Sequence, residues 1–139
     1  MTELDPLTHA QLLEILREML PHPIQEEPLP QDTTRFIGGE PGEVVVDVGS
    51  VNVTVSEYAT RQESDTAELL EPVLLGILNW TRLPAWTTRR ILGELTAAAA
   101  AERLEKFREC VRCKKEVAPE AMANETTCRA CAASDEVVY

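Results

Sequence analysis

The sequence has few of the features that mark a membrane protein, a secreted protein or a nucleic-acid-stacking surface. Its longest apolar run, around residues 73–78, is interrupted by Gly76 and is shorter than the ~18 residues of a membrane helix. Aromatic residues make up only 4% of the chain, too few for a base-stacking platform. Glu3 and Asp5 stand where a secretory signal carries positive charge. We therefore expect a soluble protein that is cytoplasmic or part of a virion.

Residues in catalytic arrangements are also scarce. His9 and His22 are the only histidines, and neither has a partner at metal-binding or catalytic spacing. The motifs G-x-x-x-x-G-K-[ST], G-x-G-x-x-G and G-x-S-x-G do not occur. The glycine-rich segment 38–42 has no lysine and leads into a predicted strand, so we interpret it as a turn. We expect no enzymatic activity.

The charge is divided unevenly along a chain whose net charge is −11. Residues 1–72 hold 15 acidic side chains and 3 arginines, whereas residues 73–139 hold 9 acidic and 10 basic side chains. An acidic front half disfavours nucleic acid there, because phosphate binding needs clustered lysine and arginine. The acidic residues either keep the protein soluble or form a face that docks on a basic partner.

The first 33 residues read as a helix followed by an arm. Thr8 and Gln11 have the spacing of a capping box, and the apolar positions behind them recur at helical intervals. That apolar face consists of Leu12, Leu13, Leu16, Met19 and Leu20. Residues 21–33 contain four prolines and predict an extended, semi-rigid linker. A helix tethered in this way can dock on its own core or on a neighbouring subunit.

Six valines on either side of Gly49-Ser50 predict a β-hairpin. A two-residue turn there pairs Val48 with Val51, Val46 with Val53, and Val44 with Val55. All six valines then share one face that needs a cover. Either the chain's own helices cover it, or the edges of the hairpin add strands to the sheet of another protein. The segment Arg35–Ile37 is a candidate third strand. The residues expected to contact an assembly partner are Leu12, Leu16, Met19, Val46 and Val53.

The region between the hairpin and the cysteines is expected to be helical. Ser64 or Asp65 is a candidate cap for a helix running through Leu69 and Leu70, and the apolar stretch 73–80 predicts a central core helix. A further helix is predicted from Pro84 to about Arg108. The fold class is therefore α+β: a helical core with a β-hairpin, an N-terminal helix on a proline-rich arm, and a C-terminal finger. The predicted regions are 1–33, 34–109 and 110–139.

All four cysteines of the chain lie in two C-x2-C pairs separated by 14 residues: Cys110, Cys113, Cys128 and Cys131. Two such pairs can surround one tetrahedral Zn²⁺ with four thiolates, and soft sulfur favours zinc or iron over hard cations. Two disulfides are the alternative in a secreted chain. Four sulfur ligands leave no position for water, so we expect one structural zinc per chain. Zinc binding can also stabilise a segment that has few large apolar residues.

Basic side chains surround the cysteines, namely Arg112, Lys114, Lys115 and Arg129. They either offset the negative charge of a zinc tetrathiolate or form a basic patch for nucleic acid or an acidic protein surface.

The order of these features resembles the C-terminal four-cysteine finger of the DksA/TraR family of transcription factors. A long predicted helix leads into the first C-x2-C pair, and Val117 and Pro119 lie before the second. Lys114 stands where that family has glycine. The resemblance covers about residues 95–135 and implies a zinc-binding finger.

These observations favour a non-enzymatic interaction protein, a subunit or adaptor of a larger assembly, for which a viral structural or connector protein is one fit. The alternative is a zinc-finger regulator that binds the transcription machinery or nucleic acid.

Overall fold

The computed structural model describes residues 5–62 and 68–137, which contain helices and an antiparallel sheet and are of the α+β class. Its helices are α1 (His9–Met19), α2 (Ala85–Glu105) and α3 (Arg129–Val137), with one 3-10 turn at Pro119–Ala121. Its strands are β1 (Ile24–Leu29), β2 (Thr33–Gly38), β3 (Val44–Val48), β4 (Asn52–Gln62), β5 (Glu68–Asn79), β6 (Arg108–Glu109) and β7 (Glu116–Val117). The chain divides into two compact units, Met1–Ala59 with Pro72–Arg103 and Thr60–Glu71 with Leu104–Tyr139.

Helix α1 begins at the predicted capping box. The Thr8 hydroxyl accepts a hydrogen bond from the backbone N–H of Gln11, and the Gln11 side chain accepts one from the backbone N–H of Thr8, at 3.1 and 2.9 Å. Leu12 and Leu16 are buried on the same face of the helix. Because the capping signals are local, the sequence predicts where the helix begins, and the burial of Leu12 and Leu16 stabilises it.

Most of a five-stranded sheet, in the order β1-β2-β3-β4-β5, belongs to the first unit. Strand β2 contains the segment Arg35–Ile37, which confirms the predicted third strand. The prediction of a linker over residues 21–33 is wrong in part, since β1 pairs antiparallel with β2 and places Glu26 opposite Phe36. Pro28 is tolerated because β1 is an edge strand, where a missing backbone N–H need not break the ladder.

Strands β3 and β4 are antiparallel neighbours, but their register differs from the predicted one. Val48 lies opposite Val53 and Val46 lies opposite Val55, so the turn has four residues rather than two. Val51 falls within this turn and is 45% exposed. The pairing of β4 with β3 is shifted by two residues from the predicted register. A shift of two leaves each of the other five valines on its predicted face. The hydrophobic pattern alone therefore did not distinguish the two registers.

The prediction of a core helix over residues 73–80 is wrong, because this stretch forms most of strand β5. The predicted helix through Leu69 and Leu70 is wrong for the same reason, and its candidate caps Ser64 and Asp65 lie outside the described residues. An apolar run without regularly spaced polar residues has neither a helical nor a strand period, so periodicity does not separate the two structures. At the end of β5, Leu78 is buried, while Ile77 is 58% exposed.

Helix α2 packs on the sheet through small and polar side chains. Its buried residues are Ala85, Thr88, Leu92, Thr96, Ala99 and Arg103. The Thr96 hydroxyl donates to the Leu92 carbonyl oxygen at 2.7 Å, which satisfies that buried polar group. The Arg103 guanidinium donates from Nε to the carbonyl oxygen of Gly42 at 3.0 Å. Within residues 5–62 and 68–137, no helix has both the length and the apolar character needed to cross a membrane.

The core of this unit contains four of the five residues that were predicted to contact an assembly partner. Leu12, Leu16, Val46 and Val53 have no exposed surface, and Met19 is half-buried beside them. The valine face is thus covered by the chain's own elements, as expected when a hairpin and amphipathic helices share one chain. The four fully buried side chains stabilise the fold and offer no surface to a partner, whereas a contact at Met19 stays a prediction.

Candidate metal centre

The first pair of cysteines is held by a short hairpin in the second unit. Strand β6 pairs antiparallel with β7, placing Arg108 opposite Val117. Cys110 follows β6. Its backbone N–H donates to the carbonyl oxygen of Lys115 at 3.0 Å, and its carbonyl oxygen accepts from the backbone N–H of Lys114 at 2.9 Å. These bonds form a tight turn that carries Cys113 back toward Cys110.

Lys114 closes this turn with a φ of +63°, in the left-handed region. A side chain with a Cβ is disfavoured there, and glycine or asparagine is common.

The second pair of cysteines is presented by a turn and a helix start. The Asn124 side chain accepts hydrogen bonds from the backbone N–H groups of Thr126 and Thr127, both at 2.9 Å. This Asx-type turn leads to Cys128, which forms a bridge with Met122 just before α3 begins. Cys131 lies in the first turn of α3, one turn beyond Cys128. The role of Asn124 was not among the predictions, although Asn-x-Thr-Thr before a cysteine is a recognisable turn signal.

The four predicted cysteine ligands come together, with their Sγ atoms all within 4.8 Å of one another. The Sγ atoms of Cys113 and Cys128 are 3.9 Å apart. Four thiolates bound at about 2.3 Å in a tetrahedron are separated by roughly 3.8 Å. The cluster therefore has the size and composition of a metal site with four sulfur ligands.

The cluster favours a thiolate at one of its corners. The backbone N–H groups of Cys113 and Cys128 lower the pKa of Cys110 to about 6, and the N–H of Cys128 lies 3.4 Å from the Cys110 sulfur. Hydrogen bonding of the Cys131 thiol to Cys128 raises its pKa to about 12. Four thiolates at these distances repel one another, and a bound metal cation would offset that repulsion.

The surroundings of the cysteines form only a small core. Cys110 and Cys128 are buried with Met122, and Val117 packs against them, whereas Cys113 is exposed. A core of this size buries little apolar surface, and small domains of this kind are commonly stabilised by a metal.

The basic residues predicted as possible contacts lie on the surface of the same unit. Arg112, Lys114 and Lys115 are exposed beside the first cysteine pair. Arg129 is exposed beside the second pair, where its Nε donates to the carbonyl oxygen of Glu120 at 3.1 Å. The two histidines lie in the first unit and are exposed, with the ring of His9 5.9 Å from that of Trp80. Among the described residues, the candidate metal cluster consists of cysteine sulfur alone.

No protein-family model, curated protein or solved structure matches this chain. The resemblance of residues 95–135 to the DksA/TraR finger thus stays a prediction, and what the structure establishes is the clustering of the four cysteines.

Proposed function

We propose that this chain is a non-enzymatic, zinc-stabilised interaction protein, a subunit or adaptor of a larger assembly. The observation that carries the zinc assignment is the cluster of four sulfurs within 4.8 Å. Thiolates prefer zinc or iron to hard cations, and a tetrahedral all-sulfur site is the usual form of structural zinc. With every coordination position taken by sulfur, the metal holds the segment in shape and activates no water.

The interaction role is supported by apolar side chains that the fold leaves uncovered on one strand. The exposed fractions of Val73, Leu74, Leu75 and Ile77 in β5 are 41, 59, 37 and 58%. Isolated apolar residues on a surface are ordinary, but neighbouring large ones on a soluble protein usually mark a contact surface. An assembly subunit accounts for this strand, whereas a chain acting alone gains nothing from exposing it.

Native mass spectrometry of the untagged chain tests both halves of this proposal in one experiment. We expect one zinc per chain and a species that contains more than one chain. A folded chain without metal would contradict structural zinc, and bound iron would contradict the choice of metal. A zinc-loaded monomer at all concentrations would contradict the assembly role.

A second candidate function is a regulator that binds nucleic acid or an acidic protein surface through its finger. The exposure of three basic side chains next to one cysteine pair favours it. It predicts that replacing the basic residues by glutamine abolishes binding to a DNA duplex in fluorescence anisotropy while zinc content stays at one per chain. The residues to replace are Arg112, Lys114, Lys115 and Arg129. If the unaltered protein does not bind the DNA duplex, regulation through nucleic acid is excluded.

A further inference from the structure

The two edges of the five-stranded sheet differ in how well they are protected against pairing with another strand. At one edge, β1 carries Glu26, Glu27 and Pro28, which are the charged and proline residues that block edge-to-edge association. At the other edge, residues 73–79 of β5 are Val-Leu-Leu-Gly-Ile-Leu-Asn, without charge or proline. Among the described strands none lies beyond β5, so this uncharged segment has a free row of backbone N–H and C=O groups.

The side chains of β5 show which face is available at this edge. Leu78 is buried in the core, and a Cβ on Gly76 would lie 2.7 Å from the Leu95 side chain of α2, so positions 76 and 78 face inward, whereas Leu74 on the same face is 59% exposed. Alternation along the strand then places the odd-numbered residues on the outer face. Those residues are Val73, Leu75 and Ile77, with exposed fractions of 41, 37 and 58%.

We propose that β5 pairs antiparallel with β5 of a second copy of this chain, about a two-fold axis at Leu75. In this register Val73 lies opposite Ile77 of the second copy, and Leu75 lies opposite Leu75. A two-fold axis normal to the sheet keeps the outer faces together, so three apolar cross-strand pairs form side by side. The inference rests on the proposed assembly role and names its partner.

Charge identifies a second copy as the occupant of this edge. The chain carries a net charge of −11, so its copies repel one another over most of their surface and approach best through an uncharged segment. The two ends of β5 differ in sign, because Glu71 lies toward its start and Arg82 follows its end. Antiparallel pairing places the start of one β5 beside the end of the other, which brings opposite charges together at both ends. Glu71 then lies opposite Asn79, and no carboxylate faces a carboxylate.

Sedimentation velocity of the full zinc-loaded chain tests this inference through Leu75→Glu, which places two carboxylates face to face on the axis. We expect the unaltered chain to be a dimer and the variant to have a dissociation constant raised more than ~100-fold. Leu104→Glu is the matched control, since Leu104 is 48% exposed but lies outside β5; this variant should remain a dimer.

Hydrogen exchange keeps the inference testable if Leu75→Glu fails to fold. Amides of residues 73–79 in the unaltered chain should lose protection on dilution below the dissociation constant, while those of β3 should not. Protection that is independent of concentration would overturn the pairing. An oligomer that persists in a folded Leu75→Glu variant would also overturn it and would leave the proposed assembly role intact. A zinc-loaded monomer of the unaltered chain would overturn both.

Discussion

Arg35 and Asp47 lie directly opposite one another on β2 and β3, and the Arg35 guanidinium donates two hydrogen bonds to the Asp47 carboxylate, at 2.8 and 3.0 Å. The two side chains are 27 and 25% exposed. Hydrogen bonding to Asp47 raises the pKa of Arg35, so the guanidinium is charged at any pH at which the protein folds. Together these contacts fix the register of the sheet on its outer face with a paired, forked interaction.

Breaking this pair should destabilise the first unit. We expect Asp47→Asn to lower the free energy of unfolding by about 1 kcal/mol, since the half-buried guanidinium loses a bidentate charged partner. Urea denaturation at neutral pH measures the change. A double-mutant cycle with Arg35→Met isolates the pair, and a coupling energy of zero would show that the two side chains act independently.

The ion pair between Arg17 and Glu26 can be compared with the pair between Arg35 and Asp47, because it has similar geometry but is more exposed to solvent. It has the same forked geometry, with both contacts at 2.9 Å, but its side chains are 50 and 38% exposed. Solvent screens such a pair, so Glu26→Gln should cost less stability than Asp47→Asn. An equal or larger cost would mean that this pair contributes through the docking of α1 on β1.

The stability that Glu26 provides should also depend on pH in a defined direction. Hydrogen bonding from Arg17 lowers the pKa of Glu26 in the folded protein. A carboxylate with a lowered pKa stabilises the fold above its ordinary pKa and loses that contribution as the pH falls through the lowered value. The difference in stability between the unaltered protein and Glu26→Gln should therefore shrink on acidification, which urea titrations at several pH values will measure.

Gly76 allows helix α2 to approach β5 closely. Because a Cβ at this position would lie 2.7 Å from Cδ1 of Leu95, Gly76→Ala should lower the free energy of unfolding by roughly 1–2 kcal/mol, despite the higher strand propensity of alanine. Leu95→Ala creates room, so the double variant should be more stable than the sum of the two single changes predicts. Strict additivity in thermal denaturation would show that the close approach carries no strain.

Removing the metal should affect the second unit selectively. Cys128→Ser removes a buried ligand, and we expect loss of the zinc together with hydrogen-exchange protection over residues 108–131. The core of the first unit contains no cysteine, so protection in β3 should persist. Zinc content by elemental mass spectrometry and exchange by peptide mapping measure the two effects. Unchanged protection near the cysteines would show that the finger folds without metal.

The sequence predicted correctly those features that depend on residues close together in the chain. The capping box at Thr8 and the spacing of the cysteines each determine structure within a few residues, and both predictions are confirmed. Strand β5 was predicted as a helix because an apolar run shows no regular alternation of polar and apolar residues. Whether such a run forms a strand depends on the neighbouring strand with which it pairs. The predicted register of the hairpin was wrong because a shift of two residues leaves the valines on the same faces of their strands.

The left-handed backbone at Lys114 leads to a final prediction that separates conformation from charge. Lys114→Gly removes the steric cost of a Cβ at a φ of +63°, so the zinc-bound finger should become more stable by about 1 kcal/mol or less. Lys114→Val places a β-branched side chain there and should destabilise it by a similar amount or more. Lys115→Gly is the control, because it removes the same charge from an adjacent residue without a positive φ and should be destabilising. Competition with a chelator measures zinc retention in the three variants. If Lys114→Gly and Lys115→Gly weaken retention equally, the charge of the lysines matters to the site and the backbone conformation does not.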